Sequence, residues 1–178
     1  GPDRWDSRGA LWMISGMLAG VSLLAYLLLH NMKRVDPKRM GAADSEVFGK
    51  LAGGMVVFIA ALNFVALQMS ARNAQLTDMV MLLLGLLFAF IGNLMHNIKP
   101  NYFAGIRLPW TLASDNNWRL THRLAGKLWF GGGIVLAAVA LALQPDAVAM
   151  LMPFLLGIMV AVPVVYSFVL YRQERSRA

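Results

Sequence analysis

Three histidines, His30, His96 and His122, are the side chains of this sequence best suited to hold a metal. All three fall near the ends of hydrophobic runs and on one predicted side. A three-imidazole site is therefore conceivable, but no two stand i, i+4 on one helix, and no metal is expected. Asn93, His96 and Asn97, at i, i+3 and i+4, make one polar stripe in an otherwise apolar segment, and it should face other helices or water rather than acyl chains. The stretch 99–127, KPNYFAGIRLPWTLASDNNWRLTHRLAGK, carries the densest polar chemistry. Two readings of it stand side by side. It can be an interfacial amphipathic entrance with Trp and Arg at headgroup depth. Alternatively, Arg107, Trp110, Trp118 and His122 converge on a recess at the cytoplasmic face that binds a ligand or partner.

Much chemistry is missing. The absence of cysteine removes disulfides, thiolate metal sites and cysteine nucleophiles. No carboxylate lies deep in a hydrophobic run: Asp78, Asp146 and Glu174 all sit at predicted helix ends, which leaves no aspartyl dyad or proton-relay acid. There is no H-E-x-x-H zinc motif, no G-x-S-x-G elbow and no P-loop. Ser15, Ser22, Ser70 and Ser167 lie within runs, without an evident His or Lys partner, and the twelve methionines scatter. No catalytic residue and no cofactor are expected.

The elements that must position these side chains follow from the charges. Only 14% of the 178 residues are charged, 58% are hydrophobic and mean hydropathy is +0.60; a soluble domain carries about 25% charged residues. Cutting the chain at each charge leaves uncharged runs 9–32, 51–71, 79–98, 128–145 and 147–171, each near or above the roughly 18 residues of a membrane span. The fold class expected is an all-α polytopic membrane bundle of five helices, over about 10–31, 47–70, 78–98, 124–143 and 147–171, after an outward segment 1–9. The long connection is a cytoplasmic loop 99–123.

Connections alternate sides. One side receives Arg4, Arg8 and Arg72; the other receives the remaining thirteen of the sixteen basic residues. Lys and Arg accumulate on the cytoplasmic side, so the N-terminus is expected outside and the C-terminus inside. The net charge of +7 is thus spent on topology, and no direct nucleic-acid binding is expected. Gln144-Pro145-Asp146 predicts a tight antiparallel hairpin. Ser45 and Thr77 are candidate helix caps, and Ser114 caps a helix that can run through Trp118, Arg119 and His122 into the fourth span. On that helix Trp118, His122 and Ala125 share one face, while Arg119 and Arg123 share another. Asn63, mid-run, reads as interhelical glue. Gly16–Gly20, Gly53-Gly54 and Gly131–Gly133 permit close helix contact. Pro153 and Pro163 predict kinks in the last helix.

At residues 92–126 the pattern resembles the signature segment of the SdpI family of bacterial membrane proteins. A helix ending Gly92-Asn93 is followed by Lys99, Asn101, Gly105-Ile106-Arg107, Pro109-Trp110-Thr111-Leu112, Trp118, the pair Thr121-His122 and Gly126. The resemblance implies a six-helix plan with both ends cytoplasmic. The opening Pro2–Arg8 then looks like the end of an outward segment, and this chain is expected to lack the family's first helix. Gly1-Pro2, in place of an initiator methionine, points the same way, to trimming or to the remnant of a tag. The implied role is immunity to a secreted peptide toxin, with toxin sensing and recruitment of an ArsR-type repressor to the membrane. The implied location is the bacterial inner membrane.

The expected binding residues are His96 from the polar stripe and, by this resemblance, Asn93, Lys99, Asn101, Arg107, Trp110, Trp118 and His122. Membrane lipids, a peptide toxin and a repressor are the expected partners, and homo-oligomerisation is open. Two alternatives remain. One is a small transporter or channel subunit using a polar track of Asn63, Asn93 and His96. The other is a membrane enzyme acting on lipid or peptide, built around His122, Arg107 and Lys127, which requires a nucleophile or metal within reach of His122.

Overall fold

The computed structural model describes residues 3–31, 42–72, 77–101 and 103–176, without the side chains of 3–8, 10–11, 42–45, 69–72 and 77. Every regular element among them is helical: α1 (Asp3–His30), α2 (Ala42–Arg72), α3 (Thr77–Met95), α4 (Pro109–Ala113), α5 (Asp115–Ala142) and α6 (Pro145–Arg175). All but α4 are long and apolar enough to cross a membrane. The chain is a multi-pass membrane protein. The basic residues 33–39 and the caps expected from the side chains of Ser45 and Thr77 lie outside the described set. The backbone of α2 nonetheless begins at Ala42, so Ser45 lies inside the helix rather than at its start.

Helices α1, α2, α3, α5 and α6 form a row in which each packs chiefly on its neighbours in that order. Among the described residues α1 touches only α2. Two polar bonds there are the expected glue: Ser15 Oγ donates to Asn63 Oδ1 at 2.9 Å, and Asn63 Nδ2 donates to the Ser15 carbonyl at 3.4 Å. Trp12, Met17, Phe154 and Met150 leave large apolar surfaces exposed at the ends of the row, as lipid-facing side chains do.

The tightest contact is α3 against α5, antiparallel. Its cause is a spacing shared by both helices, Gly85 and Gly92 on α3, Gly126 and Gly133 on α5. A Cβ at Gly92 would sit 2.8 Å from the Gly126 carbonyl oxygen, and one at Gly85 would sit 2.7 Å from that of Gly133. Backbones here touch without side chains between them, the arrangement that gains most from van der Waals packing in lipid. The Gly16–Gly20 step does not serve this way: nothing lies within 4 Å of where either Cβ would be.

Helix α6 returns along α5 after a short turn, with Pro145 at its start. Pro163 has no N–H to give the carbonyl one turn earlier, that of Met159. Trp129 Nε1 of α5 donates to that oxygen instead, at 3.1 Å. The proline's cost is thereby turned into an interhelical bond. Trp129 also meets Phe88 of α3 edge to face, at 5.5 Å, so one side chain joins three helices.

Candidate functional site

Helix α3 stops at Met95, and residues 96–101 and 103–114 form a cap on that end of the bundle, between α3 and α5. Asn101 explains the first bend. Its carboxamide is buried; Oδ1 accepts from the N–H of Phe103 (2.7 Å) and of Ala104 (2.8 Å), while Nδ2 donates to the Lys99 carbonyl (2.8 Å). This is an Asx-type turn, built by side chain in place of backbone. Gly105 follows at φ +110°, a conformation open to glycine, and a Cβ there would collide with His122 Nε2. Pro109 then opens the single turn of α4, where Thr111 Oγ1 donates to the Ile106 carbonyl (2.7 Å) and accepts from Leu108 N–H (2.9 Å). Ser114 caps α5 as expected, its hydroxyl accepting from Asn117 N–H at 3.2 Å.

Two side chains of α5 bolt this cap down. Trp118, 1% exposed, donates its indole N–H to the Ile98 carbonyl at 2.8 Å. His122, also 1% exposed, stacks on it with ring centroids 4.0 Å apart. Its Nε2 accepts from Ile106 N–H (2.9 Å), and its Nδ1 lies 2.8 Å from the Trp118 carbonyl, which can only accept. The two partners fix the Nδ1–H tautomer and occupy both nitrogens. His122 is therefore not offered to a metal or a reacting group, and a mechanism that uses it as a base has no lone pair to start from.

A second polar cluster ties the cap to α6. Thr121 Oγ1 donates to Asn117 Oδ1 (3.0 Å), and Asn117 Nδ2 donates to the Ser167 carbonyl (2.9 Å). Ser167 Oγ accepts from Trp110 Nε1 at 3.0 Å and donates to the Val164 carbonyl at 2.7 Å. Trp110 packs on Phe168 and Tyr171 of α6, on the far side of α5 from the α3 contact. Among the described residues no buried side-chain polar atom is left without a partner, which is what lets such a network stiffen one end of a bundle.

The expected binding residues thus separate into three places. Asn101, Trp118 and His122 are internal fasteners. Trp110 joins the cap to α6. Lys99, Phe103 and Arg107, all in the cap, are exposed. Asn93 and His96 line a separate cleft of about 550 Å³ between α3 and α5, opposite Arg119, Arg123 and Lys127, with Gly92, Gly126 and Phe130 completing it. Trp118 and His122 stack inside the cap and Trp110 joins α6, so these three do not line one recess. The polar track does not form either: Asn63 opens on a groove between α1 and α2, away from Asn93 and His96. Reasoning from sequence passed over Asn117 and gave Ser167 no partner; the roles of both depend on an α5–α6 register. It set Arg119 and Arg123 on one face and named Lys127 apart from them, without the cleft that their four-residue spacing lines.

Comparison with known proteins finds one matching family. The family model described as the SdpI/YfhL protein family matches residues 97–167, which run from the start of the cap to the serine that closes its second network. The chain is similar to the protein named "Immunity protein SdpI" of Bacillus subtilis (strain 168). They share 24% identity over 144 residues, covering 78% of this chain and 68% of that one. No solved structure matches the chain.

Proposed function

The chain belongs to the SdpI/YfhL family, and on that premise we propose that it is an immunity protein of the bacterial inner membrane, acting by binding and without catalysis. In this reading it protects its host from a secreted peptide toxin, and its cytoplasmic cap recruits an ArsR-type repressor when the toxin is sensed. The observation that supports it is the construction of the cap. Asn101, Thr111, Trp118 and His122 spend their polar groups holding residues 96–114 in one shape. What the cap turns outward is a small cationic and aromatic surface of Lys99, Phe103 and Arg107. A preformed surface loses little entropy on docking, which suits recognition better than a flexible loop would. The imidazole of His122, on which the enzyme alternative is built, is occupied on both sides.

The test is survival. A toxin-sensitive bacterial host expressing the chain is challenged with secreted peptide toxin, beside hosts expressing Arg107→Ala and Lys99→Ala variants shown to reach the membrane. Protection by the unaltered chain, weakened in the variants, is the expected result. An unaltered chain that reaches the membrane and gives no protection removes the immunity reading. Protection undiminished in both variants leaves immunity in place and removes the cap surface as its site.

A further inference from the structure

The cleft between α3 and α5 is not used by the cap, and its lining has a chemistry of its own. Arg119, Arg123 and Lys127 recur every fourth residue, so they form one stripe along α5. Like charges at that spacing repel and weaken a helix, unless something answers them. Among the described residues none of the three pairs with a carboxylate; Arg119 donates only to the neutral Asn116 Oδ1, at 3.2 Å. Asp115, one turn earlier on the same stripe, neither pairs with Arg119 nor lines the cleft. The facing wall supplies Asn93 and His96, both able to donate hydrogen bonds. Its floor is the crossing at Gly92 and Gly126, where the two backbones touch and no side chain rises into the cleft.

Depth selects the ligand further. The α3 span ends at Met95, so Asn93 and His96 stand near its end, level with Gly126 and Lys127 of α5, and Arg123 and Arg119 follow toward the water. Lys127 and then Phe130, whose ring is exposed, continue the stripe toward the hydrocarbon. Guanidinium forks match phosphate oxygens in pairs, and the exposed ring below them offers an apolar surface to an acyl chain. Basic pockets between membrane helices are a recurring way of holding anionic headgroups. We propose that this cleft is a binding site for one anionic phospholipid, its phosphate held by Arg119, Arg123 and Lys127 against Asn93 and His96 and its acyl chain laid over Phe130. The proposal does not depend on toxin immunity, and its readout is binding rather than survival.

The full chain, purified in mild detergent and mixed with phosphatidylglycerol or phosphatidylcholine, is examined by native mass spectrometry. One phosphatidylglycerol retained per chain, with phosphatidylcholine lost, is the expected result. Arg123→Gln should weaken retention at least about tenfold, the effect of losing one charge-assisted hydrogen bond. Arg123→Lys should lie between. The pair Arg172→Gln/Arg175→Gln, which removes cations from the end of α6, should retain the lipid as the unaltered chain does. Equal loss from that pair would reduce the effect to general surface charge and overturn the site, as would unchanged retention in Arg123→Gln. Millimolar inorganic phosphate provides a second arm. Failure to displace the lipid supports a lipid site, and full displacement makes it a site for free phosphate. Should Arg123→Gln not fold, thermal melting of the unaltered chain decides: stabilisation by phosphatidylglycerol but not by phosphatidylcholine supports the site, and equal stabilisation overturns it.

Discussion

The backbone N–H of Ile106 donates to Nε2 of His122 at 2.9 Å, joining the middle of the cap to the first turns of α5. The bond exists because Gly105, at φ +110°, lets the chain pass directly over the imidazole. Trp118 makes the matching attachment one turn earlier, to Ile98. A histidine and a tryptophan four residues apart, stacked at 4.0 Å, therefore hold both ends of the cap's first half. Residue types that suggest ligand chemistry act here as fasteners, and what they fasten is the surface bearing Lys99, Phe103 and Arg107.

Replacing His122 tests that role. His122→Phe keeps a ring on Trp118 but leaves the Ile106 N–H without its acceptor, at a cost of up to about 1–3 kcal/mol. The expected outcome is a lower melting temperature in detergent and faster proteolysis within 99–108. His122→Gln, which can still accept, should recover part of both. Unchanged protease resistance in the phenylalanine variant would mean that the cap is held by other contacts.

The α3–α5 contact should be intolerant of any Cβ bulk. Gly92→Leu and Gly133→Leu each place a side chain against facing backbone, where overpacking costs typically about 1–3 kcal/mol and more when nothing can move. Both variants should fail to accumulate as monodisperse protein on size-exclusion chromatography. Gly16→Leu, with open space around it, should behave as the unaltered chain.

The division between these glycines shows what sequence can carry. Five spans are readable because a bilayer sets the length of an uncharged run, and the Ser114 cap is readable because it is satisfied three residues away. Gly16–Gly20 has the local form of a packing step yet touches nothing. Gly85 and Gly92 acquire meaning only against Gly126 and Gly133, a pairing set by the register of two helices. His122 is similar: its type permits metal, base or fastener, and the return of the chain through Gly105 decides among them. Arg119, Arg123 and Lys127 are visible as a stripe, but the wall of Asn93 and His96 that makes the stripe a cleft comes from α3.

Trp129 and Pro163 should be energetically coupled through the Met159 carbonyl. Trp129→Phe removes the indole donor at a cost of about 0.5–1.5 kcal/mol, the net worth of one such bond. Pro163→Ala returns a backbone N–H that can satisfy the same oxygen within α6. In the Pro163→Ala background the tryptophan substitution should therefore cost less, giving a non-zero coupling in a double-mutant cycle of melting free energies. Strict additivity would show that the oxygen is satisfied in some other way.

The orientation of the bundle decides whether the cap can meet a cytoplasmic partner at all. Five crossings put Gly9 and the α5–α6 turn on one side, with the cap and the end of α6 on the other. From thirteen basic residues against three, the cap is expected inside. Because the chain contains no cysteine, single substitutions report cleanly. A membrane-impermeant maleimide applied to intact spheroplasts should label Gly9→Cys and Asp146→Cys, and should label Ala113→Cys and Gln173→Cys only after lysis. All four positions are exposed, so access depends on the side of the membrane and not on burial. The inverse pattern would turn Lys99 and Arg107 outward. Repressor recruitment by the cap would then be impossible, while direct contact with an extracellular toxin would become the natural use of the same surface.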